Sequence, residues 1–72
     1  MESGSYKGYR IFGHAILQQE DSLSPERYAG SGTITRDTKM VEASGVLSVF
    51  DTEEEAQHAG LCWARAWVDN HG

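Results

Sequence analysis

Four side chains in this sequence have the chemistry for metal binding or covalent catalysis: His14, His58, Cys62 and His71. His58 and Cys62 are four residues apart, a spacing that brings two side chains together on a helix. A structural metal site needs about four ligands, and a reactive cysteine needs a base beside it in a cleft. Because neither pattern is present, we interpret Cys62 as a small packed residue and His14 as packed or solvated. The sequence predicts no metal, no cofactor and no catalytic residue, and leaves any chemical role of His14, His58 and Cys62 open.

Three further groups of residues have both a functional and a structural interpretation. The acidic run at residues 53–55 suits a cation or a basic partner, but it also suits the first turn of a helix, whose dipole favours negative charge. Trp63 and Trp67 have rings that can stack on a ligand; at four-residue spacing on an apolar face they are predicted core residues. Gly30 and Gly32 lie inside a predicted strand, so they do not form a phosphate-binding loop ahead of a helix.

The acidic run opens the clearest element, an amphipathic helix predicted over residues 52–69. Thr52 is a favoured N-cap, and Glu55 stands three residues later, where its carboxylate can reach back to the cap. Gly60 lies beside the apolar face and allows a strand to approach closely. The apolar face consists of Ala56, Ala59, Trp63, Ala66 and Trp67, and the solvated face of Glu54, His58, Arg65 and Asp69.

The residues before this helix carry the alternation typical of strands. The predicted segments are a flexible tail at residues 1–5, strands at residues 6–19, 26–36 and 40–50, a loop at residues 20–25 and a turn at residues 37–39. The order β-β-β-α predicts an α+β fold, a three-stranded antiparallel meander with one C-terminal helix on one face, in a single domain over residues 6–72. Gly30 and Gly32 would leave shallow space on the sheet for the tryptophan rings.

One helix covers only one face of such a sheet, so the other face is expected to meet solvent or a partner. The apolar residues predicted to form an interaction surface are Phe12, Ile16, Val46 and Phe50 on that face, with Leu61 and Val68 on the flank of the helix. An exposed apolar patch marks an interaction site, and a two-fold symmetric homodimer buries it most simply. The alternative is that these side chains are scattered among polar residues such as Arg10, Thr33 and Ser48 and need no partner.

Length and charge narrow the range of functions. With 72 residues the chain makes one domain whose monomer should be marginally stable, and self-association is a common remedy. A net charge of −5 disfavours nucleic acid, which is bound through phosphate neutralisation. The single cysteine excludes an intramolecular disulfide. The chain has no long apolar run and no secretory leader, so we predict a soluble, cytoplasmic protein without a membrane contact.

The last third of the chain shows a strand ending in Phe50, a helix begun by Thr52, spaced alanines at Ala56, Ala59 and Ala64, and a closing Trp67-Val68-Asp69. This ending, together with Ser44-Gly45 before it, resembles that of a family of small uncharacterised bacterial β-β-β-α domains. The resemblance implies a bacterial protein with a short meander plus helix and no assigned function. No catalytic residue is implied by it.

We therefore predict a non-enzymatic protein-interaction or regulatory module that self-associates or binds a protein partner. The β-β-β-α order is also similar to DNA-binding domains of integrase type and to the latter part of double-stranded-RNA-binding domains. The alternative function is therefore a nucleic-acid-binding module that uses the sheet face. Its basic residues would be Lys7, Arg10, Arg27, Arg36 and Lys39. A small enzyme or ligand-binding protein would instead require an enclosed pocket with converging titratable groups.

Overall fold

A computed structural model describes residues 2–18 and 26–71 of the chain. The elements are β1 (Glu2–Tyr6), β2 (Tyr9–Gln18), β3 (Arg27–Arg36), β4 (Lys39–Ala43), β5 (Ser48–Phe50) and α1 (Glu53–His71). The predicted loop at residues 20–25 lies outside the described residues, as do residue 1 of the predicted tail and residue 19 of the first predicted strand.

The architecture is α+β, an antiparallel sheet with one C-terminal helix. The strand order is β1-β2-β3-β4. The short strand β5 also pairs with β3, on the same edge as β4 and farther along it. The predicted meander and helix are confirmed at this level, but the sheet has more strands than the three predicted. Residues 2–5 of the predicted tail, together with Tyr6 of the first predicted strand, form β1, and the third predicted strand is divided into β4 and β5.

The strand β1 forms because the chain reverses sharply after it. Lys7 and Gly8 both take left-handed backbone conformations, with φ of 51° and 87°, and Tyr6 pairs directly with Tyr9. Two such residues in a row match the twist of paired strands, as in the primed hairpin turns. Asp37 and Thr38 repeat the arrangement between β3 and β4, with φ of 53° and 66°. Pairing with β2, rather than strand propensity, therefore orders the small polar residues of β1.

The segment at residues 44–47 separates β4 from β5 without leaving the sheet. The Ser44 N–H donates to the Gly32 carbonyl at 2.9 Å, and the Gly32 N–H donates to the Ser44 hydroxyl at 2.8 Å. The Leu47 N–H donates to the Gly30 carbonyl at 2.8 Å, while Gly45 between them has a φ of 70°. The excursion leaves the facing of the side chains unchanged, because Ala43 pairs with Thr33 and Val49 with Ala29, and all four residues lie on one side of the sheet.

The helix packs on β2 and β3 with its backbone in direct contact with theirs. A Cβ atom built on Gly32 would stand 2.6 Å from the Gly60 carbonyl oxygen and 2.7 Å from Cε3 of Trp63. A Cβ atom built on Gly60 would stand 2.9 Å from the Gly13 Cα. No real side chain fits at such distances, so these three positions require glycine. The close approach predicted at Gly60 is confirmed, and Trp63 covers Gly32 as expected; Gly30 faces Ala56 and Phe50 instead.

The buried face of α1 is a stripe of small residues at four-residue spacing. Ala56, Gly60, Ala64 and Val68 are all buried, and Val68 and Ala64 pack with Ile11 and Ile34 in the core.

Trp63 and Trp67, predicted as core, pack against this cluster but are themselves only half-buried. The backbone contact leaves no room for large rings beneath α1, so the rings flank it. Trp67 meets Tyr9 edge-on, with 6.1 Å between ring centroids. Ala66, assigned to the apolar face, is exposed.

The start of α1 follows its sequence signals. The Thr52 hydroxyl accepts a hydrogen bond from the Glu55 N–H at 3.1 Å, so the predicted N-cap is confirmed. Glu53, Glu54 and Glu55 occupy the first turn, where the helix dipole favours their charge. The helix is therefore fixed at this end by local interactions before it packs on the sheet.

Replacing Gly60 by alanine tests the backbone contact. Alanine should favour a free helix by about 1 kcal/mol. In the folded protein its methyl group would collide with Ser31 and Gly13, so we expect Gly60→Ala to lower the free energy of unfolding by about 1–3 kcal/mol. Urea denaturation followed by circular dichroism measures the change. Gly4→Ala is the control, because a Cβ atom there meets nothing within 4 Å. A Gly60→Ala protein as stable as the parent would contradict the close packing.

Candidate interaction surface

The helix packs on one side of the sheet only, and we call the opposite side the outer face. Strand alternation and pairing register assign its residues. Those on β2 and β3 are Arg10, Phe12, His14, Ile16, Gln18, Arg27, Ala29, Ser31, Thr33 and Thr35, and those on the other strands are Ser3, Ser5, Met40, Ala43 and Val49. Within the described parts of the chain, no helix or strand covers this face.

Large apolar side chains on the outer face are open to solvent. Ile16 is 47% exposed, Val49 44% and Met40 69%. Ile16 and Val49 flank the buried Ala29 in one row across three strands, so they form a continuous apolar strip. Phe12 lies two residues along β2 from His14, and the two rings stack with centroids 6.3 Å apart. These residues give the outer face an apolar surface of the kind found at protein contacts.

The outer face is poor in charge although the protein is acidic. Among its described residues there is no carboxylate, and the two arginines, Arg10 and Arg27, stand at opposite ends of the strands. Between them lie hydroxyl side chains and His14, whose Nε2 is 3.0 Å from the Thr33 hydroxyl. An apolar and hydroxyl-bearing surface without carboxylates loses little solvation of charge when it is covered.

The structure places three of the six predicted interaction residues at the surface. Phe12 and Ile16 lie on the outer face as predicted. Val46 is 63% exposed but belongs to the segment at residues 44–47 rather than to a strand.

The other three predicted interaction residues lie between the helix and the sheet, and their assignment to a surface is corrected. Phe50 pairs with Tyr28, and its ring packs over Gly30 beneath the start of α1. Leu61 packs against the core beside Gly13, and Val68 is fully buried. Val68 is buried because α1 turns its stripe of small residues toward the sheet. Phe50 faces the helix because Ala43 and Val49, on either side of the excursion, both lie on the outer face, so alternation puts Phe50 on the other side.

Two exposed residues of the outer face, Val49 and Met40, were not predicted. Alternation places Val49 on the opposite side from Phe50, and Phe50 was predicted for the outer face, so Val49 was expected under the helix. The alternation holds from Ala43 to Phe50, but it does not say which side of the sheet the helix covers. Met40 lies on the same side as Ala43 because of the register shift in the β3–β4 pairing.

The candidate chemical residues are dispersed. Cys62 Sγ lies 3.3 Å from Nε2 of His58, so the helical pair meets as its spacing suggests, on an exposed surface. Residues 2–18 and 26–71 contain no group of three His, Cys, Asp or Glu side chains arranged to hold a metal. His14 stands apart on the outer face, and His71 stacks on Trp67 with ring centroids 4.3 Å apart.

The basic residues named for nucleic-acid binding do not share one face. Lys7 bonds to Asp69 of the helix, and Arg36 lies over the Tyr9 ring at 5.1 Å on the helix side. Lys39 pairs with Arg36, and Arg27 lies 4.0 Å from Asp51. Arg10 is thus the basic residue that the outer face offers without a close carboxylate partner among the described salt bridges. These positions make no continuous track for phosphates.

A surface cluster joins the β1–β2 turn to the end of α1. The Tyr6 hydroxyl donates to Asp69 Oδ1 at 2.9 Å, and Lys7 Nζ donates to the same oxygen at 2.7 Å. The hydrogen bond from Lys7, followed by that from Tyr6, holds the pKa of the Asp69 carboxyl below its ordinary value. The hydrogen bond to Asp69 raises the pKa of Lys7 and that of Tyr6. The cluster ties two elements together and is open to solvent, so we interpret it as structural.

Comparisons of the chain with protein families, with curated proteins and with solved structures find no match. No helix in the described part of the chain has the length and apolar character needed to cross a bilayer.

Asp69→Asn tests the cluster through the dependence of stability on pH. Because the folded state lowers the pKa of Asp69, its contribution is complete above the unfolded pKa of about 3.9 and is lost as the pH falls through the folded pKa. We expect the variant to be less stable than the parent at neutral pH, and the difference to disappear in strong acid. Urea denaturation across the pH range measures it. Asp51→Asn is the control, because Asp51 lies 4.0 Å from its arginine and is 83% exposed. A difference that persisted in strong acid would contradict the role of the carboxylate.

Proposed function

We propose that this chain is a non-enzymatic protein-interaction module that self-associates through its outer face. The observation that carries the proposal is the apolar strip formed by Ile16, Ala29 and Val49, whose two large side chains remain exposed. The same strands bury their other side under α1. A sheet with apolar residues on both sides gains from a second layer, and β-sandwiches supply it with another sheet.

A second copy of the chain fits this face in size. Four strands about 4.8 Å apart and up to ten residues long present roughly 500 Å² per copy. Two faces together would bury roughly 1,000 Å², near the lower limit for a specific interface. The face also suits its own copy in charge, because two surfaces without carboxylates and with few cations do not repel strongly. Association would add apolar burial to a domain of only 72 residues.

The remaining observations favour binding over catalysis. The depression at the end of the outer face, lined in part by Tyr9, Arg10 and Thr35, is open rather than enclosed. The His58–Cys62 pair and the Tyr6–Lys7–Asp69 cluster lie elsewhere on the surface. Nucleic-acid binding draws less support, because the basic residues are divided between faces. In keeping with the bacterial resemblance, we place this module, with a regulatory or scaffolding role, in a bacterial cytoplasm.

Two aspartate substitutions at neighbouring positions test the proposal. Ile16 and Leu17 are similarly exposed, at 47% and 51%, but Ile16 lies on the outer face and Leu17 on the other side. We expect the parent protein to show twice its 7.9 kDa chain mass by light scattering at high concentration. Ile16→Asp should shift the protein to the monomer, since two carboxylates would be buried in the pair, and Leu17→Asp should leave the dimer intact.

The opposite results would overturn self-association. A parent protein that stays monomeric up to millimolar concentration would contradict it, as would equal effects of the two substitutions. Circular dichroism of each variant separates loss of association from loss of folding. A mass increase that appears only when DNA or RNA is added at low salt would favour the nucleic-acid alternative instead.

A further inference from the structure

Charge in this protein is segregated along the strands. Five of the six basic residues lie at the end that carries the β1–β2 and β3–β4 turns, which we call the basic end. They are Lys7, Arg10, Arg36, Lys39 and Arg65. Register places the first four there, and Arg65 lies on α1 about one turn before Asp69, which bonds to Tyr6 and Lys7. Three carboxylates, Asp37, Glu42 and Asp69, share this end, and Asp69 is bound by Lys7.

The opposite end carries most of the negative charge, and we call it the acidic end. Tyr28 pairs with Phe50 there, so Asp51 and the first turn of α1 follow directly. Its carboxylates are Glu26, Asp51, Glu53, Glu54 and Glu55. Arg27 is the basic residue at this end among the described ones, and it lies 4.0 Å from Asp51.

The two ends are far enough apart to act separately. From Arg10 to Gln18 along β2 is eight residues, or about 27 Å. Screening in physiological salt acts over about 8 Å, so a copy stacked on the outer face responds mainly to the charges on or beside that face, which are Arg10 at the basic end and Arg27 with Asp51 at the acidic end.

Two-fold symmetry allows two ways of stacking the outer faces. With the axis along the strands, each end meets the same end of the partner; with the axis across the strands, each end meets the opposite end. The first arrangement brings Arg10 to the end that carries the partner copy's Arg10, whereas the second brings it to the end where Asp51 accompanies Arg27. We infer that the two copies associate outer face to outer face with their ends reversed, so that the basic end of each copy lies over the acidic end of the other. This inference rests on the proposed self-association.

The apolar residues accept the reversed arrangement. The row of His14 and Ser31 lies midway between Arg10 and Gln18, so the axis passes near it. Rotation about that axis lays the row of Ile16, Ala29 and Val49 over the partner copy's row of Phe12 and Thr33. Apolar side chains then meet apolar side chains twice. Arginine approaches arginine in both arrangements. When the ends are reversed, Arg10 approaches the partner copy's Arg27, and the carboxylate of Asp51 lies beside that contact.

A distance measurement between spin labels distinguishes the two arrangements. Thr38 is exposed in the β3–β4 turn, beyond the outer face, so a label there leaves the contact free. In the double variant Thr38→Cys, Cys62→Ser the label stands about six residues, or about 20 Å, from the axis row. Reversed ends therefore place the two labels about 40 Å apart, whereas matched ends place them about 20 Å apart or less. Pulsed electron–electron resonance measures both ranges.

A label on the native Cys62 is the control. Cys62 is exposed on α1, on the side away from the outer face, so its distance depends mainly on the thickness of the pair. A measurable distance between the Cys62 labels shows that the pair has formed, and a Thr38 distance of about 40 Å then supports reversed ends. A measurable Cys62 distance with a Thr38 distance of about 20 Å or less overturns the inference and leaves self-association standing. Absence of any dipolar distance from either label, with a monomer mass by light scattering, overturns both.

Discussion

Direct contact between the backbone of α1 and the backbones of β2 and β3 is the constraint on which this structure depends. Gly13, Gly32 and Gly60 meet with no side chain between them, and the layers are correspondingly close. Large apolar groups are therefore excluded from the centre of the interface. Ile11, Ile34 and Val68 pack toward one end, and the tryptophan rings flank the helix. Because the core is thin, it does not hold all the large apolar residues of the strands. Some of them, such as Ile16, lie on the outer face instead.

The helix could be predicted well because its signals are local. The Thr52 cap, the acidic first turn and the apolar periodicity act within a few residues of chain, whatever the tertiary contacts. The buried face was predicted less well. Periodicity gives most weight to bulky residues, which favoured Trp63 and Trp67, whereas contact with strand glycines selects small residues such as Ala64. Which face of a helix is buried depends on the surface that packs against it, and the sequence of the helix alone does not specify that surface.

The sheet and the outer face could be predicted in part. Phe12 and Ile16 were placed correctly because β2 alternates without interruption opposite β3. Phe50 was placed on the wrong side although the alternation of Val49 and Phe50 was counted correctly, because alternation alone does not say which side of the sheet meets the helix. β1 was missed for a different reason: its residues have weak strand preference, and a hairpin turn with two left-handed residues brings them to β2. Turn geometry and the side on which the helix packs, rather than composition, decided these points.

The excursion at residues 44–47 also limits what can join the sheet at its side. It keeps its own hydrogen bonds to β3 while breaking the border into two short pieces, and Gly45 turns the chain away from a straight path. An uninterrupted border would offer a ladder of free amide and carbonyl groups on which further chains could be added without end. A broken border offers no such template. Addition of a further strand is thereby disfavoured on that side of the sheet.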